Sequence, residues 1–595
     1  MKPHSIMQTG YTGCYFVLMW VCFVIFGAST ESNMEEKRTA YEKSVHQSQR
    51  LCSGEQEYVD ERKQVVLQSL NSLGISCSED SVPHIALLAS GGGQRAAVAL
   101  VGSLHQMEKD GLLDSVLYLG GVSGATWSMA SLYSDPQWSV GMDRAVSSLM
   151  SPGVELDEAL SWLGERAKEE HFSLTDIWGV LTSAGIMKQM DLRRLSDEAS
   201  RNATNPYPIY CALEKHCFSE GPLEATWFEM SPHEAGFTDL GLFIETSLLG
   251  SKFENGELQE EIAEMDMVKL QGVLGCALAH GETIKEFIPR WLKVPGVVDA
   301  AAAEYVRLYH ALHKLVTLTR NTVQDPAAQA DLDKLHKLLE DAHEALRNES
   351  ESLQDKESFS KQRIEQLLAV VESWSQTLED GAFKNHVKFI ISHVLPLIVK
   401  WEWGTTNNFL YQYQNSSIPS CLHTKESFYL VDAGLLVNVA YPSFLGDKRD
   451  IDLIIAPEYS AGNMFETLTL ARDYAAKLKK PFPEIDEKIL EERDWPKDFY
   501  VFEGKEKEPT IVFMPLFNRN NCKDAEEVKA KMAEFSTFQL PFSQDKIEFL
   551  LETGKENMKR NKQTLLREIK KATELKRCRK SVREGISESC LFGLE

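Results

Sequence analysis

The stretch HIALLASGGGQRA, His84–Ala96, runs an unbroken apolar segment into a glycine turn and then into helix-forming residues. An apolar run with no polar alternation suits a strand buried on both faces, as in a parallel sheet. The spacing predicts a strand over His84–Ala89 and a helix over Gln94–Lys109. A second strand, Ser115–Leu119, then enters a second glycine turn, Gly120-Gly121-Val122-Ser123-Gly124. Strand, helix and strand in this order make a βαβ unit, so the fold class is α/β, a mainly parallel sheet flanked by helices.

Taken alone, Gly91 to Ala96 fits the G-x-G-x-x-A dinucleotide fingerprint. That reading needs an acid at the end of the second strand to hold a ribose, but the strand ends in Leu119-Gly120-Gly121, and Asp114 lies at its other end. No GxxxxGK[ST] motif is present, which excludes a P-loop. What stands at the strand end is Ser123 between Gly121 and Gly124, in the pattern of a nucleophile elbow with Ala125 in place of the last glycine. Adjacent βα turns of a parallel sheet open on the same edge. The N–H groups of Gly92 and Gly93, at a helix N-terminus, are therefore candidate oxyanion donors for chemistry at Ser123. Arg95, in the first turn of that helix, is either a surface residue or a partner for substrate phosphate.

A serine nucleophile needs a base, and no histidine follows His423. The acid candidate is Asp432, set by Phe428–Val431 at a strand end ahead of Ala433-Gly434. This order favours a Ser/Asp pair in which the carboxylate takes the serine proton directly.

Around this core the chain has 595 residues, with 63 Lys+Arg against 88 Asp+Glu for a formal charge of −25, which argues against nucleic-acid binding. Eleven cysteines show no CxxC pair and no zinc-ligand spacing; Cys211 and Cys217 are spaced either for a small disulfide loop or for a reduced pair. Residues Cys14–Ala28 form an apolar run too short for an ordinary membrane span, leaving a cleaved signal or a shallow anchor as readings. Asn202, Asn348 and Asn415 sit in N-x-S/T sequons. Between 285 and 400 the pattern is helical, with Leu332, Leu335, Leu339, Ala342 and Leu346 on one face. Lys555–Arg583 carries twelve Lys/Arg against three Asp/Glu, and its stripe of Leu565, Leu566, Ile569, Ala572 and Leu575 suits either an anionic lipid surface or a docked last helix.

An ordered set of segments from about 85 to 520 resembles the cytosolic (group IV) phospholipases A2, whose core is patatin-like. The matching stretches are SGGGQRA (Ser90–Ala96), GVSGATW (Gly121–Trp127), WFEMSPHEAGF (Trp227–Phe237), GSKFENG (Gly250–Gly256), WEWGTTNNFLY (Trp401–Tyr411), DAGLLVNVAYP (Asp432–Pro442), IDLIIA (Ile451–Ala456) and KPFPEID (Lys480–Asp486). The resemblance implies a serine acyl hydrolase of phospholipase A2 type acting on glycerophospholipid at a membrane surface, with a lysophospholipase or transacylase, or a lipid-binding pseudoenzyme, as the alternatives. It implies Ser123 as nucleophile, Asp432 as base, Gly92 and Gly93 as oxyanion donors, and Arg95 and Arg449 near the substrate phosphate. Only about 83 residues precede the first core strand, too few for a C2 module, so the chain resembles the gamma type, with no cofactor and no calcium requirement in catalysis. The resemblance places it at membranes on the cytosolic face or the endoplasmic reticulum, while the apolar N-terminal run keeps a secretory route open. The expected organisation is a signal or anchor over 1–30, a helical extension over 31–83, a catalytic domain over 84–550 with a lid and helical insertion at about 285–400, and a basic tail over 551–595.

Overall fold

The computed structural model describes residues 44–280 and 326–583, apart from 350–355, 379, 381, 416, 417 and 540; between them it describes 308, 309, 312, 313, 316, 317 and 320. The expectation for Cys14–Ala28 lies outside the described residues. Two compact units are present. Of the described residues, one contains 44–153, 185–277 and 404–583, and the other contains 154–184 and those within 278–403.

The larger unit is built on a sheet whose strands, in chain order, are β1 (His46–Gln47), β2 (Ile85–Ala89), β3 (Tyr118–Gly121), β4 (Tyr207–Glu214), β5 (Trp227–Met230), β6 (Glu234–Phe237) and β7 (Leu242–Glu245). A separate hairpin, β8 (Lys252–Glu254) and β9 (Glu257–Glu260), precedes β10 (Thr405–Asn407), β11 (Ser427–Asp432), β12 (Leu453–Glu458), β13 (Tyr500–Phe502) and β14 (Thr510–Pro515). The sheet order is β1-β7-β6-β5-β4-β3-β2-β12-β14-β13, with β11 on β4 and β10 on β11. Its centre, β4-β3-β2-β12-β14, is parallel. Every outer pairing is antiparallel, so "mainly parallel" holds for the centre and the whole is mixed. The parallel strands are buried on both faces, as their unbroken apolar sequences require.

The described helices of this unit include α1 (Ser53–Ser72), α2 (Gln94–Lys109), α3 (Gly124–Tyr133), α4 (Met267–Leu274), α5 (Gln544–Arg560) and α6 (Lys562–Arg583). The N-terminal extension is part of this core. In α1, Arg62 is buried and donates to the Val116 carbonyl and to Asp114. The boundary expected at 551 is likewise crossed, because α5 spans it and packs on α2. There Gly102 lies against the Leu551 carbonyl and Gly554 against the Ala99 carbonyl, a backbone approach that leaves no room for a Cβ on either helix.

In α6, Leu565, Ile569 and Ala572 are buried, and Lys562, Lys571, Lys576 and Arg579 pair with Asp110, Glu503 and Glu568, Asp450 and Asp452, and Asp452. Of the two readings of the basic tail, these contacts support the docked helix. A disulfide joins Cys217 to Cys421, whereas Cys211 is a free thiol buried within β4 and facing the Ser443 hydroxyl. The Cys211–Cys217 pairing is therefore corrected: Cys211 is held inside the sheet.

Among the described residues of the second unit helices prevail. Its helix Pro326–Glu349 buries Leu332, Leu335 and Leu339, and Lys356–Gln376 buries Ile364, Leu367, Val371 and Trp374. The side chains of Ala342 and Leu346 lie outside the described residues. The stretch 154–184, with no marked signal in the sequence, belongs to this unit too.

Candidate active site

Strands β2 and β3 run side by side, and each enters a helix through a residue with the same unusual backbone. Gly93 caps α2 at φ 61°, ψ −141°, and Ser123 caps α3 at φ 53°, ψ −127°. Glycine adopts this region freely, whereas a residue with a Cβ holds it at a cost of about 1–3 kcal/mol. The two turns touch: a Cβ at Gly124 would collide with the Gly93 carbonyl, and one at Gly91 would collide with Asn438 and lie 2.6 Å from Ser123 Cβ. Gly91 and Gly124 are thus needed for closeness, while the positive φ belongs to Gly93 and to Ser123 itself. The N–H groups of Gly92 and Gly93 donate to no described residue.

Asp432 arrives from the opposite direction. The first half of β4, Tyr207–Tyr210, pairs with β3, and its last part, Ala212–Glu214, pairs with antiparallel β11. Because β5 holds the other edge of β4 at Tyr210–Leu213, β11 must continue the column that β3 leaves at Gly121. Asp432 lies opposite Ala212 and Gly121 opposite Tyr210, so the two strand ends meet roughly 7 Å apart along β4.

The Asp432 carboxylate accepts the Gly434 N–H at Oδ1, 2.8 Å, while Oδ2 is buried with no hydrogen-bond partner among the described residues. Burial pushes the carboxyl up to about 7, against the opposing pull of the Ser123 side chain and the Gly434 N–H. Among the described residues no histidine hydrogen-bonds to Ser123 or Asp432. His84 bonds to the Arg449 carbonyl, His105 to Asp143, His233 to Tyr207 and His46 to Glu234. The arrangement offers a strained hydroxyl, one carboxylate able to hold a proton near neutrality, and two backbone N–H groups at a helix N-terminus.

The two arginines differ. Arg95 is fully buried, donating from Nε to the Tyr459 carbonyl at 2.8 Å and from Nη1 to the Phe535 carbonyl at 2.5 Å. Its Nη2 has no partner among the described residues and lies against the turn at Gly92, 3.0 Å from where a Gly92 Cβ would stand. Burial lowers its pKa to about 10, partly offset by the field of buried Glu458. Arg449 does not fit a phosphate site. All five of its N–H groups are used, on Glu55, Glu229 and the Ser443 carbonyl, and it is buried. Its expected place near a headgroup is corrected to that of an ion-pair hub joining α1 to β5.

Three residues outside the sequence-level set also shape the site. Asn438 accepts the Gly91 N–H at its carbonyl and donates from Nδ2 to Ser460. Thr126 donates to the Ser123 carbonyl at 2.5 Å, and Trp127 donates to the Gln271 carbonyl, fixing α3 to α4. All three lie in the family-like stretches of the sequence, but nothing in their spacing names these partners.

A family model described as a lysophospholipase catalytic domain matches residues 85–147 and 159–287. The chain is 31% identical to the cytosolic phospholipase A2 gamma of Mus musculus over 88% of this chain and 91% of that protein. It is also 31% identical to the Homo sapiens counterpart, over 87% and 94%. Among solved structures, human GIVD cytosolic phospholipase A2 shares the fold, with a TM-score of 0.61 at 23% identity over 89% of this chain and 68% of that one.

Proposed function

Because the chain belongs to the cytosolic phospholipase A2 family, we propose that it hydrolyses fatty acyl esters of glycerophospholipids, with Ser123 as nucleophile and Asp432 as its base. In this reading Asp432 Oδ2 takes the Ser123 proton as Oγ attacks the ester carbonyl. The oxyanion then meets the Gly92 and Gly93 N–H groups at the N-terminus of α2. The protonated carboxyl returns its proton to the departing glyceryl oxygen, and the ester bond breaks to leave an acyl-enzyme. Water activated by the same carboxylate releases the fatty acid. Arg95 steadies the oxyanion turn from behind.

The observation that carries this reading is the buried Asp432 carboxylate, with one oxygen free beside a strained serine. Labelling with a fluorophosphonate, read by mass at Ser123, tests the nucleophile. Ser123→Ala and Asp432→Asn should both abolish hydrolysis, while replacement of His84, His105, His233, His280 and His423 in turn should not. A folded histidine variant as inactive as Ser123→Ala would overturn the pair. The matching family model favours a second substrate, a lysophospholipid, at the same site. The products from a phosphatidylcholine with different chains at its two positions would separate the activities.

The working surface in this reading is a phospholipid membrane, since the relatives are phospholipases. No helix among the described residues is long and apolar enough to cross a membrane. The Cys217–Cys421 disulfide favours passage through an oxidising compartment, and exposed Asn202 would then be open to glycosylation. A mass shift on glycosidase treatment of the protein from its native cells tests that route.

A further inference from the structure

In the helical unit His313, His336 and Glu340 bring one ligand atom each to within 4.8 Å of one another. His336 and Glu340 stand one turn apart on the helix Pro326–Glu349, a spacing that puts both on one face. His313 faces them from a neighbouring helical stretch, its ring centroid 5.0 Å from that of His336 and its Nε2 3.1 Å from Glu340 Oε1. Tyr309, one turn before His313, donates to the same carboxylate at 3.0 Å. An ion pair accounts for His313 with Glu340, but it leaves His336 unexplained. Its Nδ1 is buried with no partner among the described residues.

We propose that His313, His336 and Glu340 form a binding site for a divalent transition metal, with zinc as its best-matched occupant. Two imidazole nitrogens and a carboxylate oxygen suit zinc and disfavour calcium or magnesium, which take oxygen ligands. Tetrahedral zinc with bonds of about 2.0–2.1 Å holds its donors about 3.3 Å apart, so the present spacing needs only small side-chain rotations. Tyr309 is the outer partner that orients the carboxylate, and the fourth position is left to water. Bound there, the metal would staple the helix of His313 to Pro326–Glu349. Local sequence reading misses the site because its ligands follow no CxxC or HxxxH rule and one comes from a separate helix.

The test uses the full chain stripped of metal and titrated with Zn²⁺ against a chromophoric chelator. One equivalent should bind, and His313→Ala, His336→Ala and Glu340→Gln should each weaken it by about tenfold or more. Co²⁺ should give the strong visible bands of a four-coordinate site, absent in His336→Ala. His105→Ala, in a separate histidine–aspartate pair, should bind as the parent does. Ser123→Ala should also bind normally, which keeps this result apart from that of the hydrolytic reading. Circular dichroism of each variant checks that the helices persist. Equal zinc affinity in the parent and in a folded His313→Ala/His336→Ala double variant would overturn the site.

Discussion

Asp432 is costly to ionise where it stands, and that cost sets two linked expectations. With its pKa at about 7, hydrolysis should fall about tenfold for each pH unit below that value, as the base becomes protonated. The same group acts on stability. Its folded pKa lies above the unfolded value, so its contribution is fully present below pH 3.8 and is lost as pH rises through about 7. Asp432→Asn should therefore be inactive yet more stable than the parent at pH 8, by about 4 kcal/mol at most, with the gap narrowing towards pH 5. Urea midpoints at the two pH values check this, and a destabilised Asn variant at pH 8 would contradict it. Arg449 gives the opposite case. Arg449→Met leaves Glu55 and Glu229 facing each other in the core, which should cost about 3–5 kcal/mol. If Arg449 is only a hub, KM per folded enzyme should be unchanged; a large rise in KM would restore a substrate role.

At the scale of elements, the site depends on two turns in contact and one reversed strand. Gly124→Ala places a methyl against the Gly93 carbonyl and must push the Gly92–Gly93 turn aside. It should lower kcat by about 10²–10³ while leaving α3 helical, since alanine is the better helix former. Unchanged turnover would show that the turn at Gly92 and Gly93 takes no part. The turns were legible in the sequence because glycine punctuates the strand–helix junctions. Helix α2 ends where expected, its limits marked by Gly93 and by Asp110-Gly111. The direction of β11 was not legible, since the apolar run Phe428–Val431 reads the same in either sense. Direction is decided by β4, which has an edge vacant beyond Gly121. Arg449 was misplaced for a related reason: an arginine near a catalytic turn looks alike in sequence whether it faces solvent or two buried carboxylates.

At the scale of the whole chain, segments far apart in sequence close the catalytic unit. The Cys217–Cys421 bridge spans 204 residues, and no local pattern could have chosen Cys421 over the nearer Cys211. Helix α6 is the other closure, and its basic side chains admit two accounts with different consequences. If they steer the protein to anionic lipid, removing residues 562–595 should weaken vesicle binding and leave the fold intact. The observed contacts argue otherwise. Leu565 and Ile569 are fully buried, Glu568 and Thr573 are buried beside them, and Lys576 and Arg579 reach Asp452 at the start of β12. Removing the helix would expose this apolar stripe and leave a buried carboxylate without its cations. The truncated chain should lose cooperative thermal unfolding or melt well below the parent. Single charge reversals on the outer face, such as Lys570→Glu, should leave melting unchanged. Vesicle binding by the Lys570→Glu protein then separates the two roles. A loss of binding at constant stability would show that the docked helix also meets lipid, and unchanged binding would make α6 purely a brace for α5 and the strands beneath it.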